Sequence, residues 1–453
     1  MQRLDCAGSF PFAGLLIALV AVSAGCVTGG GATHVNTYYN SDSAADDHAR
    51  LTTDTQGQWL VVWASQHELG TLGTDWDVFR SWSQTNGQVW SNASPMNQTA
   101  ATDLKTGDWQ PDVTASTTGT AVAVWSSTNS LGGKIGDDED IWFSRNPDLK
   151  LGGWSAAKPI HEASAAADGI FDLDEHPSLA TDNKKTWVAV WMKSDMTESD
   201  ILVSRSADDG ITWSLPTLLN SELGTEAYFD YWPRVETDGS GTWIVTWNRD
   251  AGVAHMEPIL HSISTDGGKN WSNSKQVHQH AVGYSPRIAY DGKSSWMIVW
   301  DSIADVSTGK TDKFRNIQLS RSSDGGNTWS APAYLNTDWN PQNVFVGAPS
   351  NSNPDIATDG QGNWIAVWDL WQSTSLSAPD IRIAYSQDGG MTWTDPDYLN
   401  ENWNTNTLSE RWPQLATDRK GNWVVIWQTA AVANGNTSSD SDIATRRIVW
   451  PKP

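Results

Sequence analysis

One five-residue pattern recurs seven times along the 453 residues of this chain. In each copy a hydrophobic segment ends on Trp, and six copies also begin on Trp: Trp59–Trp63, Ala121–Trp125, Trp187–Trp191, Trp243–Trp247, Trp296–Trp300, Trp364–Trp368 and Trp423–Trp427. Residues four apart in a β-strand point to the same side, so the paired Trp side chains cover one face. Since the intervening Val and Ile residues fill the other face, the pattern predicts strands buried on both faces.

Each copy belongs to a longer repeat with an approach strand before it and two strands after it. The third strand and its tight turn are clearest at Ile201–Trp213, Ile259–Trp271, Ile317–Trp329 and Ile381–Trp393. A four-stranded meander cannot bury both faces alone, whereas radial packing of such sheets can. The sequence therefore predicts an all-β fold, a seven-bladed β-propeller with four-stranded blades over residues 34–453. A pair of β-sandwich domains is the alternative, which seven evenly spread units disfavour.

The two termini suggest how such a ring closes. The seventh repeat ends without a fourth strand, whereas the segment His34–Asn40 precedes the first repeat and ends in the same hydrophobic-Asn pattern as the fourth strands. We expect this N-terminal strand to complete the last blade and leave no open sheet edge.

The N-terminus has the features of an export signal. Residues 1–25 contain Arg3, the apolar run Phe12–Val22 and small residues directly before Cys26, and the run is too short to span a membrane. The pattern resembles the bacterial lipobox, in which the cysteine is lipidated. Ser23 stands where that box prefers Leu, so ordinary cleavage near the same point, or an unmodified thiol, is the alternative.

These features predict a bacterial cell-envelope protein, either lipid-anchored through Cys26 or secreted, with residues 26–33 as a flexible linker. Cys6 is the only other cysteine and lies in the signal, so no disulfide is expected. Asp and Glu number 53 against 29 Lys and Arg, and the net charge of -24 argues against nucleic-acid binding. The acidity favours solubility; we expect a monomer that requires no cofactor. Acidic loops that bind calcium or cationic partners are the alternative.

The tight turns resemble the Asp-box, or BNR repeat, of the sialidase superfamily, written Ser-x-Asp-x-Gly-x-Thr-Trp. The four closest copies are Ser206-Asp208-Gly210-Trp213, Ser264-Asp266-Gly268-Trp271, Ser322-Asp324-Gly326-Trp329 and Ser386-Asp388-Gly390-Trp393. Two degraded copies are Ser83–Trp90, with Thr85 in place of Asp, and Ser144–Trp154, with an insertion. Asp can accept backbone N–H bonds and Gly supplies a positive φ, so these residues are expected to be structural. The resemblance also allows a six-bladed ring with one repeat displaced, and it implies that the boxes lie opposite the active site.

Long connections at the other end of the strands are acidic and aromatic. They include Asp75–Asp77, Asp172–Glu175, Asp230–Trp232, Trp339, Trp371, Trp403 and Trp412. Aromatic rings beside carboxylates and amides suit sugar binding. The alternative is that these rings only cover the ends of the sheets. Within the same connections Asp137, Asp138 and Asp140 form the best candidate metal site, with calcium as the expected ion.

The sialidase resemblance implies three arginines on the substrate carboxylate, a Tyr nucleophile with a Glu partner, and an Asp acid/base. The Phe/Tyr-Arg-Ile-Pro motif that opens those enzymes is absent. Arg234, Arg287 and Arg411 lie near the starts of approach strands, and Tyr231, Asp230 and Glu236, with Tyr284, are close in sequence. Ion pairing with the many carboxylates is the alternative role of these arginines.

Three functions stay open from the sequence. The first is recognition of a glycan or a cell-surface protein through the long connections. The alternative is a sialidase-type exo-glycoside hydrolase that acts on terminal acidic sugars, and the third is a purely structural interaction scaffold.

Overall fold

In the computed structural model the described residues are 31–38, 44–68, 75–96, 106–135, 138–149, 153–162, 172–195, 197–220, 228–250, 257–306, 311–336, 350–371, 379–400, 408–430 and 441–450. The signal, Cys26 and Asn40 therefore lie outside the described residues. Within these ranges no helix is long and apolar enough to span a membrane.

The described strands follow the sequence repeats, four to a repeat. Repeats 1 to 3 comprise β2 (Asp46–Thr53), β3 (Trp59–Ser65), β4 (Asp77–Ser83) and β5 (Ser94–Pro95); β6 (Asp108–Ala115), β7 (Ala121–Ser127), β8 (Asp140–Asn146) and β9 (Lys158–Pro159); β10 (Leu173–Thr181), β11 (Trp187–Ser194), β12 (Ser199–Ser206) and β13 (Thr217–Leu218). Repeats 4 and 5 comprise β14 (Phe229–Thr237), β15 (Trp243–Asp250), β16 (Ile259–Ser264) and β17 (Lys275–Gln276); β18 (Tyr284–Tyr290), β19 (Trp296–Ala304), β20 (Thr311–Ser322) and β21 (Ala333–Tyr334). Repeats 6 and 7 comprise β22 (Ser350–Thr358), β23 (Trp364–Trp371), β24 (Asp380–Ser386) and β25 (Asp397–Tyr398); β26 (Glu410–Thr417), β27 (Asn422–Ala430) and β28 (Ser441–Val449), with β1 (Thr33–His34) on β28.

Neighbouring strands within each repeat pair antiparallel, and among the described strands one parallel pair, Ser199 with Phe229, joins the sheets of repeats 3 and 4. The all-β class predicted from the sequence is confirmed. The approach strands contact one another in chain order, from β2 through β6, β10, β14, β18 and β22 to β26, and β26 also contacts β2.

The Trp pattern determines how neighbouring sheets pack. Trp187 and Trp191 face Val122 and Val124 of repeat 2, whereas the alternate residue Val188 faces repeat 4. The largest fully buried side chains of the described residues are all Trp from these central strands. Since each central strand is buried on both faces, every sheet contributes to two hydrophobic clusters.

The turns with the Asp-box pattern are built as that pattern requires. The Ser322 hydroxyl donates a 2.8 Å hydrogen bond to Asp324 Oδ1, which also accepts the Thr328 N–H at 2.9 Å. Gly326 has a φ of 85°, and a Cβ there would lie 2.4 Å from Ile244 of the preceding repeat. In the degraded copy the Thr85 hydroxyl accepts the Val89 N–H in place of a carboxylate. These turns therefore pack each sheet against the sheet of the preceding repeat.

The N-terminal segment repeats the geometry of the fourth strands. Thr33 and His34 pair with Thr445 and Ala444, and the Val35 N–H donates to the Ile443 carbonyl as the Leu335 N–H does to that of Ile317. The next residue, Asn36, donates to Asp46 and Asp442, which joins the first repeat to the last. The hydrophobic-Asn pair that matches the fourth strands is therefore Val35–Asn36.

Candidate functional site

Each of the seven described approach strands is interrupted by a β-bulge near its first residues. The pairing register shifts at the same position in every approach strand, as between Tyr231 and Arg234. In each bulge one residue other than Gly has a φ of 51–54°: His48, Gln110, His176, Trp232, Ser285, Asn353 and Trp412. Bulges and left-handed residues bend a strand and redirect its side chains, and both concentrate next to functional sites. We call this the loop end of the sheets, and the opposite end, with the Asp-box turns, the turn end.

Two residues after each bulged residue, a polar side chain faces the neighbouring approach strands. Five of these side chains are charged and form what we call the arginine cluster: Arg50, Arg234 and Arg287 with Asp112 and Asp355. Arg50 Nε lies 3.8 Å from Asp112 Oδ1, and Arg287 Nε lies 3.9 Å from Asp355 Oδ1. The side chains of Arg50 and Arg287 keep 15% and 13% of their surface exposed, so the cluster is accessible from solvent only in part.

The two aspartates also bind backbone on the next strand. Asp112 Oδ2 accepts the Leu179 N–H at 2.8 Å, and Asp355 Oδ2 accepts the Leu415 N–H at 2.7 Å. Each carboxylate therefore interacts with both an arginine and a backbone N–H group. Three guanidinium groups share these two carboxylates, so the cluster has more positive than negative charge. Arg287 Nε is buried and has no hydrogen-bond partner among the described residues.

The pKa values in this cluster reflect charge taken out of water. Burial lowers the pKa of Arg234 well below its usual range, and the charges of Arg287 and Arg50 lower it further. Burial likewise lowers the pKa of Arg287 to about 10. The pKa of His176 falls to about 3, first through burial and then through His48 and the three arginines, so this imidazole is neutral at pH 7. The site is therefore electropositive and short of anions.

A tyrosine and a glutamate meet beside this cluster. Tyr284, three residues before Arg287 on β18, lies close enough to Glu257 for the two side chains to interact electrostatically, and the Asn248 amide donates to the Glu257 carboxylate at 2.8 Å. The Arg315 guanidinium lies 4.7 Å from the Tyr284 ring centroid. Burial raises the pKa of Tyr284 to about 12, and the charge of Glu257 adds to that rise.

A chain of charged groups continues from Arg315 around the loop end. Arg315 donates to Asp301 at 2.7 Å, and burial, with the charge of Asp369, raises the pKa of Asp301 to about 7. Asp369 in turn accepts hydrogen bonds from Asn353 and lies near Arg411. The Arg411 guanidinium stacks 4.0 Å from the centroid of Trp371.

The candidates from the sequence therefore divide between several places. Arg234 and Arg287 lie together in the arginine cluster, whereas Arg411 is three residues out of register with them and contacts Trp371. Tyr231 stacks on Phe229 and makes a tilted contact with Trp232 at the loop end.

Asp230 and Glu236 do not join Tyr231 at this surface. Asp230 is fully buried and accepts two hydrogen bonds from Arg249, at 2.7 and 2.6 Å, and one from Asn220. Glu236 lies two residues beyond Arg234 toward the turn end, and burial raises its pKa to about 7.

The predicted metal site is covered only in part. Asp138 and Asp140 are buried at the start of β8, whereas Asp137 lies outside the described residues. Among the residues that the structure describes, no group of three His, Cys, Asp or Glu side chains is arranged to hold a metal ion.

Sequence reasoning missed Arg50, although a signal for it exists. Arg50, Arg234 and Arg287 each precede the first Trp of the next strand by nine residues, at Trp59, Trp243 and Trp296. Arg411 precedes Trp423 by twelve. Pro stands directly before Arg234 and Arg287, whereas Ala49 stands at the corresponding position before Arg50. Counting back from the Trp pattern would have found Arg50 and separated Arg411 from the cluster.

No family model matches the chain. A sialidase from Bacteroides fragilis is 23% identical over 252 residues, which are 50% of this chain and 42% of that protein. The chain thus spans less than half the length of this curated relative.

Two solved structures cover most of the chain in a structural comparison. The polysaccharide lyase Uly1 gives a TM-score of 0.52 at 9% identity, over 87% of this chain and 88% of that chain. The NanB sialidase from Streptococcus pneumoniae gives a TM-score of 0.48 at 11% identity, over 94% of this chain and 70% of that chain. Together with the four-stranded sheets, the curated homologue identifies the fold as a sialidase-like β-propeller.

Proposed function

We propose that this protein binds an acidic glycan through its loop end and that a sugar carboxylate occupies the arginine cluster. The observation that carries the proposal is the convergence of Arg50, Arg234 and Arg287, which outnumber their engaged partners Asp112 and Asp355. A carboxylate would supply the missing negative charge and accept paired hydrogen bonds from guanidinium groups, a geometry that Arg favours.

The chemistry of the curated relative supports the choice of ligand. That protein is named a sialidase, and sialic acids carry a carboxylate on the sugar ring. The surrounding loop end offers Tyr and Trp side chains for the apolar faces of a sugar, as in other carbohydrate sites.

Hydrolysis is the second candidate function, and the Tyr284–Glu257 pair favours it. A Tyr nucleophile is a known variation on the two carboxylates of glycoside hydrolases. Glu257 lies beside the Tyr284 hydroxyl and could receive its proton as that oxygen attacks the anomeric carbon, while the glycosidic C–O bond breaks and the departing sugar oxygen takes a proton from water. The high pKa of Tyr284, about 12, means that the nucleophile would need this base.

We further propose that the fold is a seven-bladed propeller closed by β1, since the approach strands contact each other in turn and Asn36 bridges the first and last repeats.

We also propose that the protein is exported and that Cys26 is lipidated. Mass spectrometry of the mature N-terminus tests them: a diacylglyceryl cysteine is expected, and an unprocessed Met1 would contradict export.

A glycan array tests the binding proposal, with sialylated and uronic-acid-containing glycans set beside matched neutral glycans. Selective retention of acidic glycans is expected, and equal retention of neutral ones would overturn the proposal.

A fluorogenic sialoside then separates binding from hydrolysis. Turnover that Tyr284→Phe abolishes, while Tyr290→Phe leaves it intact, would establish the second candidate; no turnover by the folded protein would reject it.

A further inference from the structure

Two exposed tryptophans flank an arginine at one sector of the loop end. Trp371 ends β23 with 38% of its surface exposed, and Trp412 on β26 has 37% exposed. Arg411, which directly precedes Trp412 in the chain, places its guanidinium 4.0 Å from the Trp371 ring centroid. We call Trp371, Arg411 and Trp412 the aromatic platform.

The backbone holds Trp412 in a conformation that costs free energy. Its φ is 52°, which side chains other than Gly rarely adopt, and its ring stacks on His48 at 5.8 Å with an interplanar angle of 15°. Left-handed residues of this kind cost on the order of 1–3 kcal/mol and persist where the surrounding structure enforces them. The enforced position presents a large apolar ring to solvent, the reverse of what burial favours.

The hydrogen-bonding state of Arg411 points to a missing polar partner. Its Nε is buried and has no hydrogen-bond partner among the described residues, and the nearby charge of Asp369 stabilises the cation. Flat aromatic rings stack on the C–H faces of sugars, while guanidinium N–H groups donate to hydroxyl oxygens. The platform therefore offers both kinds of contact that a pyranose needs.

The platform also lies next to the arginine cluster. Trp412 is two residues from Gln414, which occupies on β26 the position that Arg234 and Arg287 occupy on their own strands. Two residues of strand span roughly 7 Å. A ligand held by its carboxylate in the arginine cluster would place a linked ring over this sector.

We propose that the aromatic platform binds the sugar adjacent to the acidic one, so that the protein recognises an oligosaccharide and not a lone acidic monosaccharide. This inference rests on the proposed function, because the arginine cluster sets the position of the first sugar. It assigns Arg411 to the second sugar and not to the carboxylate.

Titration calorimetry with two probes tests the inference. N-acetylneuraminic acid reports on the arginine cluster alone, and sialyllactose reports on both sites. Trp412→Ala and Trp371→Ala are each expected to weaken sialyllactose binding about tenfold and to leave N-acetylneuraminic acid binding unchanged. Trp82→Ala is the matched control, since Trp82 on β4 is 43% exposed but lies toward the turn end. Trp412→Phe keeps a stacking ring and should restore most of the affinity.

The outcomes separate the two proposals. If the wild-type protein binds both probes and the platform variants bind sialyllactose as tightly as it does, the inference is overturned while the arginine cluster stands. If Trp412→Ala weakens both probes equally, the platform is not a separate site and the inference is also overturned. If the wild-type protein binds neither probe, no sialic acid occupies the arginine cluster and the inference is overturned, whereas the proposed function is then decided by the uronic-acid-containing glycans of the array.

Discussion

At the turn end of the sheets carboxylates are surrounded by donors, whereas at the loop end charged groups face one another with too few partners. The Thr328 hydroxyl and N–H, together with the Ser322 hydroxyl, hold the pKa of Asp324 below its usual range. In the arginine cluster burial instead lowers the pKa of Arg234 and raises that of Asp112.

The backbone shows the same contrast. At the turn end positive φ values occur in hairpin turns, at Gly326 and Gly390 and also at Asn183, Asp209 and Arg419, whereas at the loop end the non-Gly residues with positive φ include one inside each approach strand, at its bulge. At the turn end hydrogen bonds within the turns satisfy the carboxylates, whereas the loop end keeps backbone strain inside its strands and charged groups with few partners. The difference fits the proposal that ligand binding belongs to the loop end, whereas the contacts at the turn end serve stability.

The largest expected effect is the loss of an arginine from the cluster. Arg234→Ala should weaken binding of a sialylated glycan by roughly thirtyfold or more, because truncating one member of a buried charged contact costs about 2 kcal/mol or more. Arg234→Lys keeps the charge but loses the paired hydrogen bonds, so its affinity should lie between those of the wild type and Arg234→Ala. Titration calorimetry measures both variants, with Arg321→Ala, beside the Asp-box turn on β20, as the control. Equal losses in Arg234→Ala and Arg321→Ala would remove the contrast between the two ends.

A change in an Asp-box should act on stability alone. Asp324→Ala removes the acceptor of the 2.8 Å bond from Ser322 and of the 2.9 Å bond from Thr328. The free energy of unfolding should fall by about 1–3 kcal/mol, as expected when such donors lose their acceptor, and glycan affinity should be unchanged. Urea unfolding and calorimetry on the same sample measure the two quantities. A large drop in affinity at unchanged stability would assign function to the turn end.

The pH dependence of stability should reveal the buried acid near the cluster. Burial raises the folded-state pKa of Glu236 from 4.5 to about 7. A raised pKa means that the folded state binds the proton more tightly, so this contribution to stability is fully present below pH 4.5 and is lost as the pH rises through 7. Glu236→Gln stays neutral at every pH. Its free energy of unfolding relative to that of the wild type should therefore be roughly 1–3 kcal/mol higher at pH 8 than at pH 4.5.

Urea unfolding at those two pH values checks the effect, with Glu162→Gln on an exposed side chain as the control. A gain that is the same at both pH values would show that folding does not raise the pKa of Glu236.

The smallest expected effect concerns backbone strain at the loop end. Ser285 has a φ of 51° in the bulge of β18. Ser285→Gly should relieve this strain and raise the free energy of unfolding by up to about 1 kcal/mol, less the greater entropy of Gly in the unfolded chain. At the turn end Gly390→Ala should destabilise, because φ is 77° and the added Cβ would lie 2.1 Å from Met297. Thermal unfolding compares the two, and opposite signs are expected. Destabilisation by both changes would mean that the bulge is not strained.

The fold could be predicted further from the sequence than the site. The Trp pattern has the period of a strand and recurs at every sheet, so strand type and repeat organisation follow from local residues. The position of Val35–Asn36 could be read only approximately, because His34–Asn40 contains two Asn residues and only contacts with Asp46 and Asp442 distinguish them.

The site depends on contacts between distant strands. Arg50 and Arg234 come from strands far apart in the chain, and only the packing of approach strands brings them together. Asp230 looked catalytic because it adjoins Tyr231, yet alternation along the strand and the Arg249 side chain bury it. Neither Glu257 nor Arg315 could be placed near Tyr284 without the structure, because both follow long connections.

The most direct measurement of the central claim is titration calorimetry with acidic sugars and their methyl esters. N-acetylneuraminic acid, glucuronic acid and galacturonic acid would each be paired with the ester, which keeps the shape and removes the charge. The account predicts that at least one acid binds at least thirtyfold more tightly than its ester and that added salt weakens this binding. If every ester binds as tightly as its acid, no sugar carboxylate occupies the cluster of Arg50, Arg234 and Arg287, and the account is contradicted.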